Sequence, residues 1–309
     1  MIQLGQYPAP SHVIAHVSDT HLLAGGRQLF GTANTIEHLT QALAQLERST
    51  AHPQAIVFTG DLADLGEPDA YLRLLRVVEP AAARMNAEII WVIGNHDERA
   101  QYSSLLFDEE SDAPQDRVYM IDGLRIISLD TTVPGYHHGD ISDEQLEWLR
   151  RELAAPAPHG TLLAMHHPPI PTPMLEAMGM LELQRQERLA QVLTGSDVRA
   201  ILAGHLHYST HSTFAGIPVS VASATCYTLD LSAHDRLLSG VDHGQAVNVV
   251  HVYKHQTVHS IIPVGDTTEI TGHSVEAWAQ IEAMTPELRI ETFSAKNSAF
   301  NSAKAEASE

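Results

Sequence analysis

The feature that most constrains this chain is a recurring boundary: apolar, Val- and Ile-rich runs that each stop at Asp, Asn, Gly or His. Residues 13–19 read VIAHVSD, 55–61 AIVFTGD, 89–94 IIWVIG, 124–130 LRIISLD, 162–166 LLAMH and 199–204 RAILAG. Runs this apolar suit strands buried on both faces. Segments of helical period lie between them. Residues 35–47 place Ile36, Leu39, Leu43 and Leu46 on one face. Residues 67–83 open with acidic residues and Pro68, and 142–153 open with a capping-box pattern from Ser142 to Gln145. A further helix is expected over 184–193. Residues 217–224, 246–253 and 258–264 read as later strands with more alternation. Strand–helix alternation followed by consecutive strands predicts a layered α/β sandwich.

The bulk properties narrow the partners. A chain of 309 residues, 44% hydrophobic, can bury a large core without disulfides. Its one cysteine, Cys226, forbids an intramolecular disulfide and fits a reducing, cytoplasmic setting. Residues 1–12 lack a basic start followed by an apolar run, and no apolar stretch is long enough to span a membrane. The formal charge of −20 repels polyanions, so no nucleic acid partner is expected. The texture changes after about residue 264. We therefore expect a main domain over 1–265 and a C-terminal extension over 266–309. The extension should carry a short helix at 274–284 and a polar tail over 285–309. That tail has the composition of a disordered segment, unless another subunit holds it.

Each boundary carries chemistry. The clusters are Ser18-Asp19-Thr20-His21, Gly60-Asp61, Gly94-Asn95-His96-Asp97, His166-His167-Pro168 and Gly204-His205-Leu206-His207. Ligands of α/β sheets bind at the carboxyl ends of strands, so distant clusters can converge. Carboxylates, imidazoles and an amide suit Mn, Fe, Co or Zn, and the lack of a thiolate disfavours a structural zinc site. On an extended segment Asp19 and His21 would face the same way, as would His205 and His207. The glycines before Asp61, Asn95 and His205 permit tight turns.

Taken in order, Asp19-x-His21, Gly60-Asp61, Gly94-Asn95-His96-Asp97, His166 and Gly204-His205-x-His207 resemble the signature of the calcineurin-like metallophosphoesterase superfamily. The resemblance implies a four-layer α/β/β/α sandwich holding two divalent transition metal ions. Asp19, His21 and His207 would hold the first ion, and Asn95, His166 and His205 the second. Asp61 would bridge both. A hydroxide bridging the ions would attack phosphorus. His96 would assist the leaving oxygen, and Asp97 would orient His96 from behind.

The substrate reading rests on finer resemblance. No arginine follows Gly60-Asp61 closely, which counts against a phosphoprotein phosphatase. The run Gly60-Asp61-Leu62-Ala63-Asp64-x-Gly66 with Tyr71, GNHDER at 94–99, AGHLHY at 203–208 and Ser223-Ala224-Thr225 resemble the bacterial class III cyclic-nucleotide phosphodiesterases. That implies conversion of 3′,5′-cyclic AMP to 5′-AMP. The alternative is a broad-specificity phosphodiesterase, or a nuclease, acting on other small diesters. A non-catalytic binder would show a missing ligand or a replaced His96, and neither is seen.

Several residues keep two readings. In the loop 133–140, Tyr136, His137 and His138 could reach phosphate or base, or the loop could be solvated. His137 and His138 are our candidate substrate contacts. Asn34 and Thr35 could line a pocket, but Asn34 is expected to cap the helix behind it. His167 should point away from His166 and act as a donor behind the ligands. Cys226 is expected to be buried and inert. The apolar segment 174–183 is a flap near the site, a core helix or a subunit interface. A homo-oligomer could assemble through it.

Overall fold

The computed structural model describes residues 3–265, 268–270, 272 and 276–301. Pro10–Gly265 forms one compact unit, and residues 1–9 with 266–309 form a second.

The first unit is built on two sheets. One has the order β13-β12-β1-β2-β3, from β1 (His12–Val17), β2 (Ala55–Thr59), β3 (Glu88–Val92), β12 (Ala246–Val252) and β13 (Thr257–Pro263). The other runs β4-β5-β6-β7-β9-β8, from β4 (Arg117–Ile121), β5 (Leu124–Leu129), β6 (Thr161–Met165), β7 (Val198–Ala203), β8 (Thr210–Phe214) and β9 (Ile217–Val221). β10 (Thr228–Leu229) and β11 (Gly240–Val241) make a small separate pair. β1, β2 and β3 are mutually parallel, as are β5, β6 and β7.

Why the predicted runs lack alternation is now visible. On β2, Ala55 and Val57 join the core between the sheets, while Ile56 and Phe58 face outward against helices. On β6, Leu162 and Ala164 face inward, and Leu163 and Met165 outward. Helices α1 (Thr35–Arg48) and α2 (Pro68–Met85) cover the first sheet with Leu39, Leu43, Leu46, Leu74 and Val78. Helices α4 (Asp143–Glu152) and α5 (Gln186–Leu193) cover the second with Leu146, Leu149, Leu189 and Val192. The result is the four-layer α/β/β/α sandwich. Each fully buried Leu, Ile or Phe in these three interfaces contributes about 1.5–3 kcal/mol.

Some elements carried weak signals. α3 (Arg99–Phe107) buries only Tyr102 and Ser103, so its sequence shows no apolar stripe. β4 and β8 are sheet-edge strands that pair through hairpins. Their turns, Asp122-Gly123 and Ala215-Gly216, place both residues at positive φ, the geometry that suits a two-residue hairpin. Asn34 occupies the N-cap position of α1, but its amide donates to Glu37 at 2.8 Å rather than capping the backbone.

In the second unit, α6 (Glu276–Ala283) occupies part of the expected 274–284 helix, and residues 274–275 lie outside the described residues. The tail expected to be disordered forms α7 (Pro286–Arg289), capped by Thr285, and a turn over Ile290–Ser294. Phe293 and Phe300 stack edge to face at 4.8 Å. Residues 302–309 lie outside the described residues.

The capping box at α4 is formed as expected: Ser142 Oγ accepts from Gln145 N–H at 3.2 Å, and Gln145 Oε1 accepts from Ser142 N–H at 3.1 Å. Ser142→Ala should lower stability by about 1 kcal/mol, read as a lower urea midpoint with an unchanged m-value.

Candidate metal centre

The parallel strands end on one edge, and both sheets deliver side chains there. Asp19 follows β1, Asp61 follows β2 and Asn95 follows β3; His166 ends β6, and His205 and His207 follow β7. Across the two sheets, Asp19 Oδ1 lies 3.4 Å from His207 Nε2, and Asp61 Oδ2 lies 3.3 Å from His166 Nε2. Asp61 Oδ2 is also 3.4 Å from His21 Nε2. His166 Nε2 is 3.0 Å from Asn95 Oδ1, and the rings of His166 and His205 are 5.1 Å apart. The structure thus brings together every residue expected as a ligand.

It does so by a different local route from the one expected. Asp19 and His21 do not alternate along an extended segment. Their φ values are 52° and 43°, and those of Asp61, His205 and His207 are 51°, 71° and 56°. These left-handed conformations cost free energy, and they persist only where surrounding contacts over-determine them. Gly60 turns at φ 93°. Gly94 and Gly204 serve close approach instead: a Cβ on Gly94 would sit 2.1 Å from Asp61 N, and one on Gly204 would sit 1.9 Å from Ser18 Oγ.

The outer nitrogen of each ring is committed. His21 Nδ1–H donates to Asp64 Oδ1 at 2.9 Å, His166 Nδ1–H to Thr59 O at 2.7 Å and His207 Nδ1–H to Tyr227 O at 3.0 Å. His205 Nε2–H donates to Leu181 O at 3.0 Å. The inner nitrogens therefore face one another and the carboxylates, with His21 Nε2 and His207 Nε2 only 3.2 Å apart. Acceptors this close need either extra ring protons or a cation among them. In the polypeptide alone the protons win. Burial disfavours charge on His21, but hydrogen bonds to Asp61 and Asp64 and the charges of Asp61 and Asp19 overcome it and raise its pKa to about 10. Burial is likewise overcome at His166 by Asp61 and Asp19, giving about 9. Burial would raise Asp19, but His207 and His166 pull it down to about 2. His205, buried beside His166, is lowered to about 3 and stays a neutral donor. Divalent cations fit this arrangement, because they would replace the protons at convergent N and O atoms. Asp19, Asp61 and His166 present ligand atoms within 4.8 Å of one another, as do His21, Asp61 and His96.

Comparison with known proteins agrees with this geometry. Residues 12–209 match the family model for calcineurin-like phosphoesterases. The chain belongs to that family. It is 57% identical to a cAMP/cGMP dual specificity phosphodiesterase of Mycobacterium tuberculosis, over 85% of this chain and 83% of that protein. It is 32% identical to a 3′,5′-cyclic adenosine monophosphate phosphodiesterase of Escherichia coli K12, covering 69% and 76%. A dimetal phosphatase from Danio rerio shares the fold, with a TM-score of 0.57 at 17% identity, over 83% of this chain and 99% of that one.

Beside the ligands, this phosphoesterase has a cleft of about 550 Å³ lined by Asp64, Asn95, His96, Arg99, Tyr136 and His137 among others. His96 sits on its wall, with Nδ1–H donating to Asp64 O at 2.8 Å. Asp97, expected to orient His96, does something else. Its oxygens accept from the N–H groups of Leu62, Ala63 and Gly94 and from Tyr71 Oη–H, all at 2.9–3.1 Å. It ties the loop after β2 to the loop after β3. Burial and the charge of Asp61 push its pKa up to about 6, against those N–H donors. Orientation of His96 falls to Asp64, to which the sequence reading gave no role. Its place in the run Gly60-Asp61-Leu62-Ala63-Asp64-x-Gly66 was the available signal.

The remaining candidates divide. His137 Nδ1 accepts from Asn95 Nδ2–H at 2.9 Å. His138 is not among the residues lining the cleft, and its ring packs 5.3 Å from Tyr136. His167 is a buried donor, as expected: Nε2–H reaches His137 O at 3.1 Å, while Nδ1 accepts from Thr131 Oγ1–H at 2.8 Å. Segment 174–183 packs Leu175, Met178 and Leu183 into the second core, leaving Met174 and Met180 exposed.

Adding Mn²⁺ to metal-stripped protein at pH 7 should release protons, because His21 and His166 hold a second ring proton there and a ligating nitrogen cannot. Calorimetry in two buffers of different ionisation enthalpy reads this; no release would mean neutral rings. Asp97→Asn turns an amide donor onto backbone N–H groups and should cost ~1–3 kcal/mol, checked by denaturant melts.

Proposed function

We propose that this phosphoesterase hydrolyses 3′,5′-cyclic nucleotides, converting cyclic AMP to 5′-AMP, at a two-metal centre. The observation that supports the reading is the convergence of these candidate ligands, one of which, Asn95, also lines a cleft of small-molecule size together with His96. The named activities of the mycobacterial and E. coli relatives support the substrate class. Asp19, His21 and His207 would hold one ion, Asn95, His166 and His205 the other, and Asp61 would touch both. Bound there, divalent ions neutralise the phosphoryl oxygens and acidify water.

The chain's own groups do the rest. Attack of water on phosphorus breaks the bond to the 3′ oxygen, which must then gain a proton. With Nδ1–H held by Asp64 O, the doubly protonated form of His96 would present Nε2–H to the cleft as the group that supplies it, leaving neutral imidazole. The N–H of His96 donates to Asp61 Oδ1 at 2.8 Å, so the donor and the shared carboxylate are locked in one frame. His137 holds the Asn95 amide nitrogen, which turns the amide oxygen toward His166 and the ligand cluster. Arg99 lines the cleft but is engaged by Asp130 at 2.9 Å and by Thr132 O at 3.0 Å. Asp64, Glu98 and Asp112 also line it, so a monoanionic diester is accommodated better than a polyanion. A cytoplasmic setting and a homo-oligomer belong to the same reading, the latter through the exposed Met174 and Met180.

His96→Ala should keep its metals and lose roughly 10²–10⁴-fold in turnover. The assay is 5′-AMP release from cyclic AMP beside bis-p-nitrophenyl and p-nitrophenyl phosphate, with metal content measured in parallel. Activity on the generic diester alone would discard the cyclic-nucleotide substrate; an unchanged rate in His96→Ala would remove its role.

A further inference from the structure

Residues 223–227 run as a strap behind the ligands. Thr225 N–H donates to Ser18 O at 3.0 Å, and Cys226 N–H donates to Asp19 O at 3.2 Å. Tyr227 O takes the Nδ1–H of His207, and Leu229 N–H donates to His207 O at 3.3 Å. Cys226 Sγ packs 3.7 Å from the same His207 nitrogen. The strap therefore grips the exit of β1 through the backbone of Asp19, and the exit of β7 through both the ring and the backbone of His207. These two residues face each other at 3.4 Å, and both sit on left-handed backbone. Something outside the site must hold them against that strain.

The carbonyl of Cys226 shows what does. It accepts the Nδ1–H of His38 at 2.8 Å. His38 lies in the first turn of α1, next to Leu39, which is fully buried against the first sheet. On the opposite edge of its ring, Nε2 lies 3.5 Å from Asp242 Oδ1, which also accepts from Gln245 Nε2–H at 2.7 Å. A packed helix thus reaches over the strap and pins its middle peptide. The peptide bonds on either side of that carbonyl are the ones that hold Asp19 and His207.

We propose that His38 is a positioning residue for one of the two metal positions, the one formed by Asp19, His21 and His207. It acts through the Cys226 carbonyl and touches neither metal nor substrate. Partners of this kind are typically worth 10–100-fold in metal affinity. The inference rests on the ligand assignment above.

The test is Mn²⁺ titration calorimetry of metal-stripped wild type, His38→Ala and His38→Asn, with thermal melts and cyclic AMP kinetics alongside. In Asn the amide Nδ2 takes the place of the ring Nδ1 and keeps the bond to the carbonyl. Wild type should bind two ions. His38→Ala should weaken one of them about 10-fold or more and leave the other unchanged. Its kcat should recover at high Mn²⁺, with KM for cyclic AMP unmoved. His38→Asn should restore affinity. Repeating His38→Ala in an Asn95→Ala background should show that the surviving ion is the weakened one. Two wild-type ions with unaltered affinities in His38→Ala would overturn the role of His38 alone. A parallel loss at both positions together with a lower melting temperature would also overturn it, as a merely structural effect. Fewer than two ions in wild type would overturn the ligand assignment itself.

Discussion

Asp61 is the point on which the structure turns. It is buried, on left-handed backbone, with His21 and His166 within 3.4 Å of one carboxylate oxygen and the N–H of His96 on the other. A carboxylate removed from water at this depth is stable only with positive charge beside it. Burial opposes its ionisation, yet His166 and His21 hold its pKa well below the usual range. The two sheets meet at this carboxylate, since His21 comes from the first and His166 from the second. Packing of the two sheets brings both rings against Asp61, and a buried Asp61 keeps its charge through them or through a cation that replaces their protons.

Around that centre, most of the orienting partners are ordinary backbone. Thr59 O, Tyr227 O and Leu181 O fix His166, His207 and His205, and Asp64 fixes His21 and His96. Each of these bonds selects a tautomer and aims the other nitrogen inward, which raises the value of the site as a receptor for cations. Asp97 contributes at one remove: by collecting N–H groups from two loops it keeps Asp61 and Asn95 in register. His96 lines the cleft with its Nδ1–H held by the Asp64 carbonyl, while the other rings are aimed at the carboxylates.

The electrostatics run against the bulk of the protein. A chain of formal charge −20 surrounds a site where the imidazolium charge of His21 and His166 is matched by Asp19 and Asp61, and where divalent cations, if bound, would leave a local excess of positive charge. Screening confines the attraction for a phosphate to distances near the Debye length, while long polyanions meet the acidic surface as a whole. A small anion therefore loses least to the acidic surface.

Most of the layered fold and the ligand types were legible because both depend on local pattern. Apolar runs such as 55–61 must be buried on two faces, and the helices over 35–47 and 142–153 show their stripe and cap directly. α3 and β4 escaped because one lacks an apolar stripe and the other is a short, half-exposed edge strand. The part played by Asp97 is non-local for a similar reason: its neighbour in sequence is His96, but its neighbours in space include the N–H groups after β2. By itself, the sequence determined which residues could bind metal and at which strand ends they lie, since residue type and hydrophobic period are local properties. Only the tertiary structure decided that Asp19, His21, His205 and His207 reach the centre from left-handed backbone, and that backbone carbonyls aim the rings. Those facts depend on contacts between segments far apart in the chain, which no single stretch of residues encodes.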